Sequence, residues 1–244
     1  MKVLIRFVFL LAIIALAPAL AWAFTPGAGI AGTPHDFSSK GGGVGLCTFC
    51  HTPHKGLSTL LLWNHTLSQN TFKWDVPSTT AGTTYPTFKG NTYMGPTAKC
   101  LSCHDGSVAV GDIAWFNEGK PAILDNTKHG QGDPMNVGFG GDMAGNHPVA
   151  MPYPYLQAKN TYNGVTTGSQ ATLAEWQATP LDPIRMFNDD GSGNISAGVV
   201  AAKTGMECSS CHDPHNQAAV DDLFLRGKLT GADTTYICLK CHIK

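Results

Sequence analysis

Outside four short segments the chain has no cysteine, and none stands before Cys47. Nothing near the amino terminus is therefore available for lipid attachment. Basic excess is also missing: 16 Lys and Arg stand against 17 Asp and Glu, which gives a nucleic acid no footing. Beyond residue 21 no apolar run is long enough to hold the chain in a bilayer. Sustained hydrophobic periodicity is lacking too, and much of the aliphatic content sits in the first 21 residues. With 28 Gly and 15 Pro, the remainder is short of side chains for a conventional core.

What is present is a pentapeptide repeated four times. Cys47-Thr-Phe-Cys50-His51, Cys100-Leu-Ser-Cys103-His104, Cys208-Ser-Ser-Cys211-His212 and Cys238-Leu-Lys-Cys241-His242 consume all eight cysteines. Cys-x-x-Cys-His is the attachment signature of c-type haem: two thiols add to the porphyrin vinyl groups, and the adjoining His ligates iron. A disulfide framework gives no reason for a His after every second cysteine. Structural zinc wants paired knuckles on short spacers, whereas Cys50 and Cys100, and Cys103 and Cys208, are far apart in the sequence. The expectation is four covalent haems and no other metal.

The amino terminus agrees with that chemistry. Lys2 and Arg6 precede an apolar run from Phe7 to Ala21, and Ala21-Trp22-Ala23 forms a small-x-small cleavage site. Residues 1–23 read as a secretory signal peptide, with Pro18 and the short run arguing against a membrane anchor. Haem attachment takes place outside the cytoplasmic membrane, so export fits. Losing Lys2 and Arg6 also makes the formal charge of −1 more negative before any propionate is counted.

A 244-residue chain less this leader leaves about 55 residues per haem. The expected fold is a single tetrahaem cytochrome c domain over residues 24–244, irregular and loop-dominated, with few short helices, minimal strand and a haem-packed core. The apo-protein should hold little folded structure. Residues 24–46, 77–99 and 118–167 read as loop or extended chain. Helices are expected only at Leu173–Ala178, capped by Thr172 and ended by Pro180, and at Gln217–Arg226.

Ten histidines carry the functional argument. His51, His104, His212 and His242 are proximal ligands. His35, His54, His65, His129, His147 and His215 remain for four distal positions, enough for two imidazoles on every iron. Six-coordinate iron has no vacant position for substrate and moves electrons. Methionine competes as distal ligand, at Met94, Met135, Met143, Met151, Met186 and Met206. His54 and His215 each follow a motif His by three residues, across Pro53 and Pro214, on the same side of their own haem. They serve a different iron or none. His242 is followed by only Ile243 and Lys244, so its distal ligand comes from upstream or from another molecule. A histidine-rich front and an uncovered haem at the back suggest head-to-tail association, which gives an open filament when it does not close.

The runs His35-Asp36-Phe37-Ser38, Cys47-x-x-Cys50-His51-Thr52-Pro53-His54, Leu62-Trp63-Asn64, Ser102-Cys103-His104-Asp105-Gly106, Asn146-His147-Pro148-Val149 and His212-Asp213-Pro214-His215 resemble those of multihaem cytochromes from metal-respiring bacteria. Haem count and order are most similar to the OmcE-type tetrahaem extracellular cytochromes, which polymerise into conductive filaments. The resemblance implies bis-His haems in a continuous stack and a ligand donated across the subunit boundary. It implies His35, His54, His147 and His215 as distal ligands, with His54, then His35, as the intermolecular donor. His65 and His129 are left as surface or propionate-contacting residues.

Other motifs add little. Asn188 to Val199 imitates half a calcium loop but has Val199 where a bidentate Glu is needed. Asn64-His-Thr66 and Asn194-Ile-Ser196 match the glycosylation sequon without further support. Three functions stand side by side. The favoured one is a polymerising conduit to extracellular acceptors or partner cytochromes. The second is a monomeric periplasmic shuttle. The third, a multihaem oxyanion reductase, needs a five-coordinate iron that four motifs ending in His do not supply. The chain is expected to be exported, extracellular or at the cell surface, and not an enzyme.

Overall fold

The computed structural model describes residues 24–40, 45–54, 56–57, 60–73, 95–116, 120–157, 173–189, 195–200 and 203–243. Loops and turns dominate. Among the described residues two helices, α1 (Pro96–His104) and α2 (Cys208–Cys211), carry the second motif and most of the third. Six strands of two to five residues make two small sheets among the described residues. β1 (Asp112–Phe116) and β2 (Lys120–Ile123) form an antiparallel pair, with Asp112 opposite Ile123. β3 (Met151–Pro152), β4 (Phe187–Asp189), β5 (Ile195–Ala197) and β6 (Thr204–Met206) form an antiparallel sheet in the order β3-β6-β4-β5. The imitation calcium loop bridges the β4–β5 hairpin, and its turn lies outside the described residues.

Local chemistry explains both helices. Pro96 opens α1 after extended Gly95, a position where its missing N–H costs nothing. The helix ends at Asp105 and Gly106, whose φ of 73° favours glycine; a Cβ there would run into the His129 carbonyl. α2 is one turn held by a reciprocal cap between Glu207 and Ser210. The two helices meet at a buried joint. The Glu207 carboxylate accepts from the Thr97 backbone and hydroxyl, and Thr97 Oγ1 accepts from the Cys208 N–H at 3.0 Å.

The apolar clusters are small. Phe72, Leu101 and Met143 form one; Tyr153, Ile184, Met186, Met206 and Cys241 form the other, with Trp176, Cys211 and Ile237 against it. Motif cysteines are thus built into the second cluster. Fully burying a side chain of this size contributes roughly 1.5–3 kcal/mol.

Three expectations need correction. Residues 96–99 belong to α1, not to a loop. The helix from Leu173 is a single 3-10 turn, Leu173–Glu175, because Trp176 leaves it to pair with His242. The segment from Gln217 to Arg226 is not helical. The Asp213 carboxylate captures the Gln217 and Ala218 N–H groups, and Leu223 and Phe224 adopt left-handed φ of 57° and 59°. Thr172 and residues 77–94 lie outside the described residues, as does the expected leader.

Candidate haem-binding site

Each motif closes as one tight turn that brings the His N–H back to the first cysteine. His51, His212 and His242 donate to the carbonyls of Cys47, Cys208 and Cys238 at 2.8, 3.0 and 2.9 Å, and His104 ends α1. Such a turn sets both thiols and the imidazole on one patch, as two thioether bonds and one iron ligand on a single porphyrin require. All eight thiols are free. Burial pushes Cys50 up to about 11 and Cys241 up to about 12.

A second strand of backbone then fixes each motif His. His51, His104 and His212 Nδ1 lie 2.6, 2.7 and 2.7 Å from the carbonyls of Leu61, Met135 and Leu223. A carbonyl only accepts, so Nδ1 carries the proton and Nε2 keeps its lone pair for a metal. This clamp is duplicated. Thr52 and Asp213 donate to Leu62 and Phe224, and Asn64 and Arg226 donate back to Cys50 and Cys211. The side chains match too: Asn64 Nδ2 holds the Thr48 carbonyl, and Arg226 Nε holds that of Ser209. At the fourth motif Ile243 donates to Glu175 and Gln177 to Cys241, the same pairing with its partner strand drawn from upstream. Sequence reading found His-x-Pro-His twice but missed the returning strand. The signal was the echo of Leu61-Leu62-Trp63-Asn64 in Leu223-Phe224-Leu225-Arg226.

The histidines come together in pairs. Two imidazoles ligating one iron from opposite faces through Nε2 have ring centres about 6 Å apart, given metal–nitrogen bonds near 2 Å. His51 and His215 are 6.1 Å apart, His147 and His242 6.5 Å, and His35 and His104 6.1 Å. His129 also approaches His104, at 5.8 Å and nearly parallel. Its Nδ1 is engaged by the Asp133 carboxylate at 2.9 Å, the i,i+4 spacing that made this residue findable in the sequence. His147 and His35 likewise turn Nδ1 to the carbonyls of Pro148 and Pro214, leaving Nε2 free.

Burial, chiefly, lowers His35 to about 4 and keeps His104, His212 and His215 below the usual histidine range. These rings are neutral, the form that binds metal.

His65 and His54 make no such ring pair among the described residues, although His65 Nε2 lies 3.4 Å from Cys103 Sγ. His65 is buried with Nδ1 against the Thr66 carbonyl and Nε2 against that of Ala109, so neither nitrogen is spare. His54 is exposed, held by hydrogen bonds between its backbone and the Thr52 hydroxyl, and no ring contact among the described residues involves it.

His35 arrives on a strap, residues 24–37, laid over the third motif. Asn216 anchors it: Nδ2 donates to the carbonyls of Thr25 and Gly29 at 2.8 and 2.9 Å, and Oδ1 accepts from Gly27 at 2.9 Å. Phe24 and His35 stack on Phe224, at 4.5 and 4.6 Å.

Motifs adjacent in sequence are adjacent in space. Cys103 interacts with Cys50, Cys208 hydrogen-bonds Cys100, and Cys211 interacts with Cys238 and Cys241. Around them hydrophobic side chains stay open to solvent, among them Leu61, Leu62, Leu223 and Ile243. Each sits on a returning strand or, for Ile243, directly after a motif, where an apolar macrocycle would cover it. The residues present fit covalent haem.

No helix among the described residues is long and apolar enough to cross a membrane. A family model described as the doubled CXXCH motif matches residues 200–244, the third and fourth motifs. No curated protein matches the chain. The doubled motif suggests a multihaem c-type cytochrome and haem-binding electron transfer.

Proposed function

We propose that the protein carries respiratory electrons through four haems, each with two axial imidazoles, as the subunit of a head-to-tail extracellular filament. Haem supplies the one-electron iron chemistry; everything else falls to the chain. Cys47 and Cys50, Cys100 and Cys103, Cys208 and Cys211, and Cys238 and Cys241 anchor the macrocycles. The proximal ligands are His51, His104, His212 and His242. His215 serves the iron of His51, His35 that of His104, and His147 that of His242.

The observation that carries electron transfer is the spacing of those three ring pairs, 6.1, 6.1 and 6.5 Å. An iron filled on both faces offers no site for bond chemistry, which speaks against an oxyanion reductase. The side-by-side order of the motifs favours a linear relay.

Polymerisation rests on the internal duplication. In the third motif the His-Asp-Pro-His turn brings the His215 ring within 6.1 Å of another motif's imidazole. In the first motif the same turn presents His54 to solvent, with no ring opposite among the described residues. A donor held in that geometry suits an iron of a second copy, and the iron of His212 has no imidazole at bis-ligand spacing among the described residues. The acceptor would be an external oxidant or a partner cytochrome, reached after export of the chain beyond residue 23. One observation favours the monomeric periplasmic shuttle instead: His35 and His129 both approach His104, and either could be spared to fill the remaining iron from within.

Electron microscopy of the haem-loaded protein decides between them. Filaments that fail to assemble in His54→Ala, with all four haems retained by mass, support the conduit. Monomers at high concentration with four low-spin irons overturn it in favour of the shuttle.

A further inference from the structure

Two buried polar side-chain atoms among the described residues lack a hydrogen-bond partner, Trp63 Nε1 and Ser209 Oγ. The serine hydroxyl can rotate and either donate or accept, so it carries little. The indole is different, because its N–H only donates and its direction is fixed by the ring. A donor shut away from water with no acceptor is a standing defect, and native interiors hold few of them.

The position of Trp63 says what is missing. It lies on the returning strand of the first clamp, paired with the backbone of His51, and its ring stands edge-on to that imidazole at 5.8 Å and 82°. Trp63 is therefore beside the proximal face of whatever His51 ligates. A haem attached there brings two carboxylates, its main acceptor groups, on one edge of an otherwise apolar disc. In the third clamp the same place is taken by Leu225, opposite His212, which has no side-chain donor.

We propose that Trp63 donates its indole N–H to a carboxylate of the haem held by Cys47, Cys50 and His51. It is a positioning residue for this haem alone. The inference rests on the haem reading above. Its consequence is electrostatic: a donor on the carboxylate draws negative charge away from the ring edge, which favours the reduced iron. Removing the donor lowers the reduction potential of the first haem and leaves the third, with Leu225, unchanged.

The test compares haem-loaded wild type with Trp63→Phe. Mass spectrometry counts haems on each motif, resonance Raman reads the carboxylate bending modes, and a redox titration resolves the steps. The expected result is full loading, one shifted bending mode and one step moved to lower potential. Full loading with bending modes and titration both unmoved overturns the proposal. Should Trp63→Phe fail to load, replacing the indole N–H by sulfur (benzothienylalanine at position 63) keeps the shape and removes only the donor, and the same two outcomes apply. Wild type that carries no haem on Cys47 and Cys50 would instead remove the haem reading beneath it.

Discussion

Asn216→Ala should release the strap that delivers His35, and the size of the effect follows from its bonds. The side chain is fully buried and makes three hydrogen bonds to the strap, at 2.8, 2.9 and 2.9 Å. At about 1 kcal/mol net for each, the anchor contributes about 3 kcal/mol to holding the strap down. The backbone adds to this, since Asn216 sits at a φ of 53° that alanine adopts at a cost of about 1 kcal/mol. Asn216→Gly separates the two, losing the amide but tolerating the left-handed turn. Hydrogen exchange on the haem-loaded protein is the assay. About 3 kcal/mol corresponds to roughly a hundredfold loss of protection. It should fall on amides of residues 28–36 that bond within the strap, such as Thr33 and Asp36. Both variants should show it, alanine more than glycine, while amides of β4 and β6 keep their protection. If strap amides exchange at wild-type rates in both variants, the strap is held by something other than Asn216.

Four further outcomes are expected. Asp213→Ala strands the buried Arg226 guanidinium, 3.4 Å away, without its carboxylate, and should destabilise the protein by about 3–5 kcal/mol in urea unfolding. Thr97→Val removes the hydroxyl between Glu207 and the Cys208 N–H and should cost about 1–3 kcal/mol by the same measurement. In electron paramagnetic resonance His65→Phe should keep every iron low-spin, because both His65 nitrogens face carbonyls, whereas His215→Ala should expose one high-spin iron. The pH dependence concerns Asp125, which the Thr127 hydroxyl, then Lys40, hold down at about 2. Its folded value is below the unfolded one, so its stabilisation is present above pH ~4 and fades as pH falls towards 2. Chemical-shift titration of Lys40 and Thr127 should show that step, and Asp125→Asn should abolish it.

The closed motif turns were legible because the chemistry the motif suggests dictates its spacing. A thiol pair and an imidazole for one macrocycle leave almost no freedom in sequence, and the closed turns at Cys47–His51 and Cys238–His242 follow from it. The loop-dominated fold was legible from missing periodicity. The partners that complete each motif were not. Leu61 and Leu223 act through backbone carbonyls, which any residue provides, and His215 meets His51 across most of the chain. The helix expected at Gln217–Arg226 failed for a related reason. There the chain turns back to pair with the third motif, Asp213 donating to Phe224 and Arg226 to Cys211, and Leu223 and Phe224 take left-handed φ that an α-helix excludes.

The reach of the Asn216 anchor has a consequence for biogenesis. Residue 216 closes on residues 25–29, 187 to 191 positions earlier. If the chain is exported as proposed above, the strap lacks its Asn216 anchor until almost the whole polypeptide has crossed. On the ligand set proposed above, the earliest macrocycle to be attached waits equally long for His215 to close its open face. A truncated or stalled chain would carry a reactive, half-dressed iron, so the finished molecule is safe only when its last third has arrived.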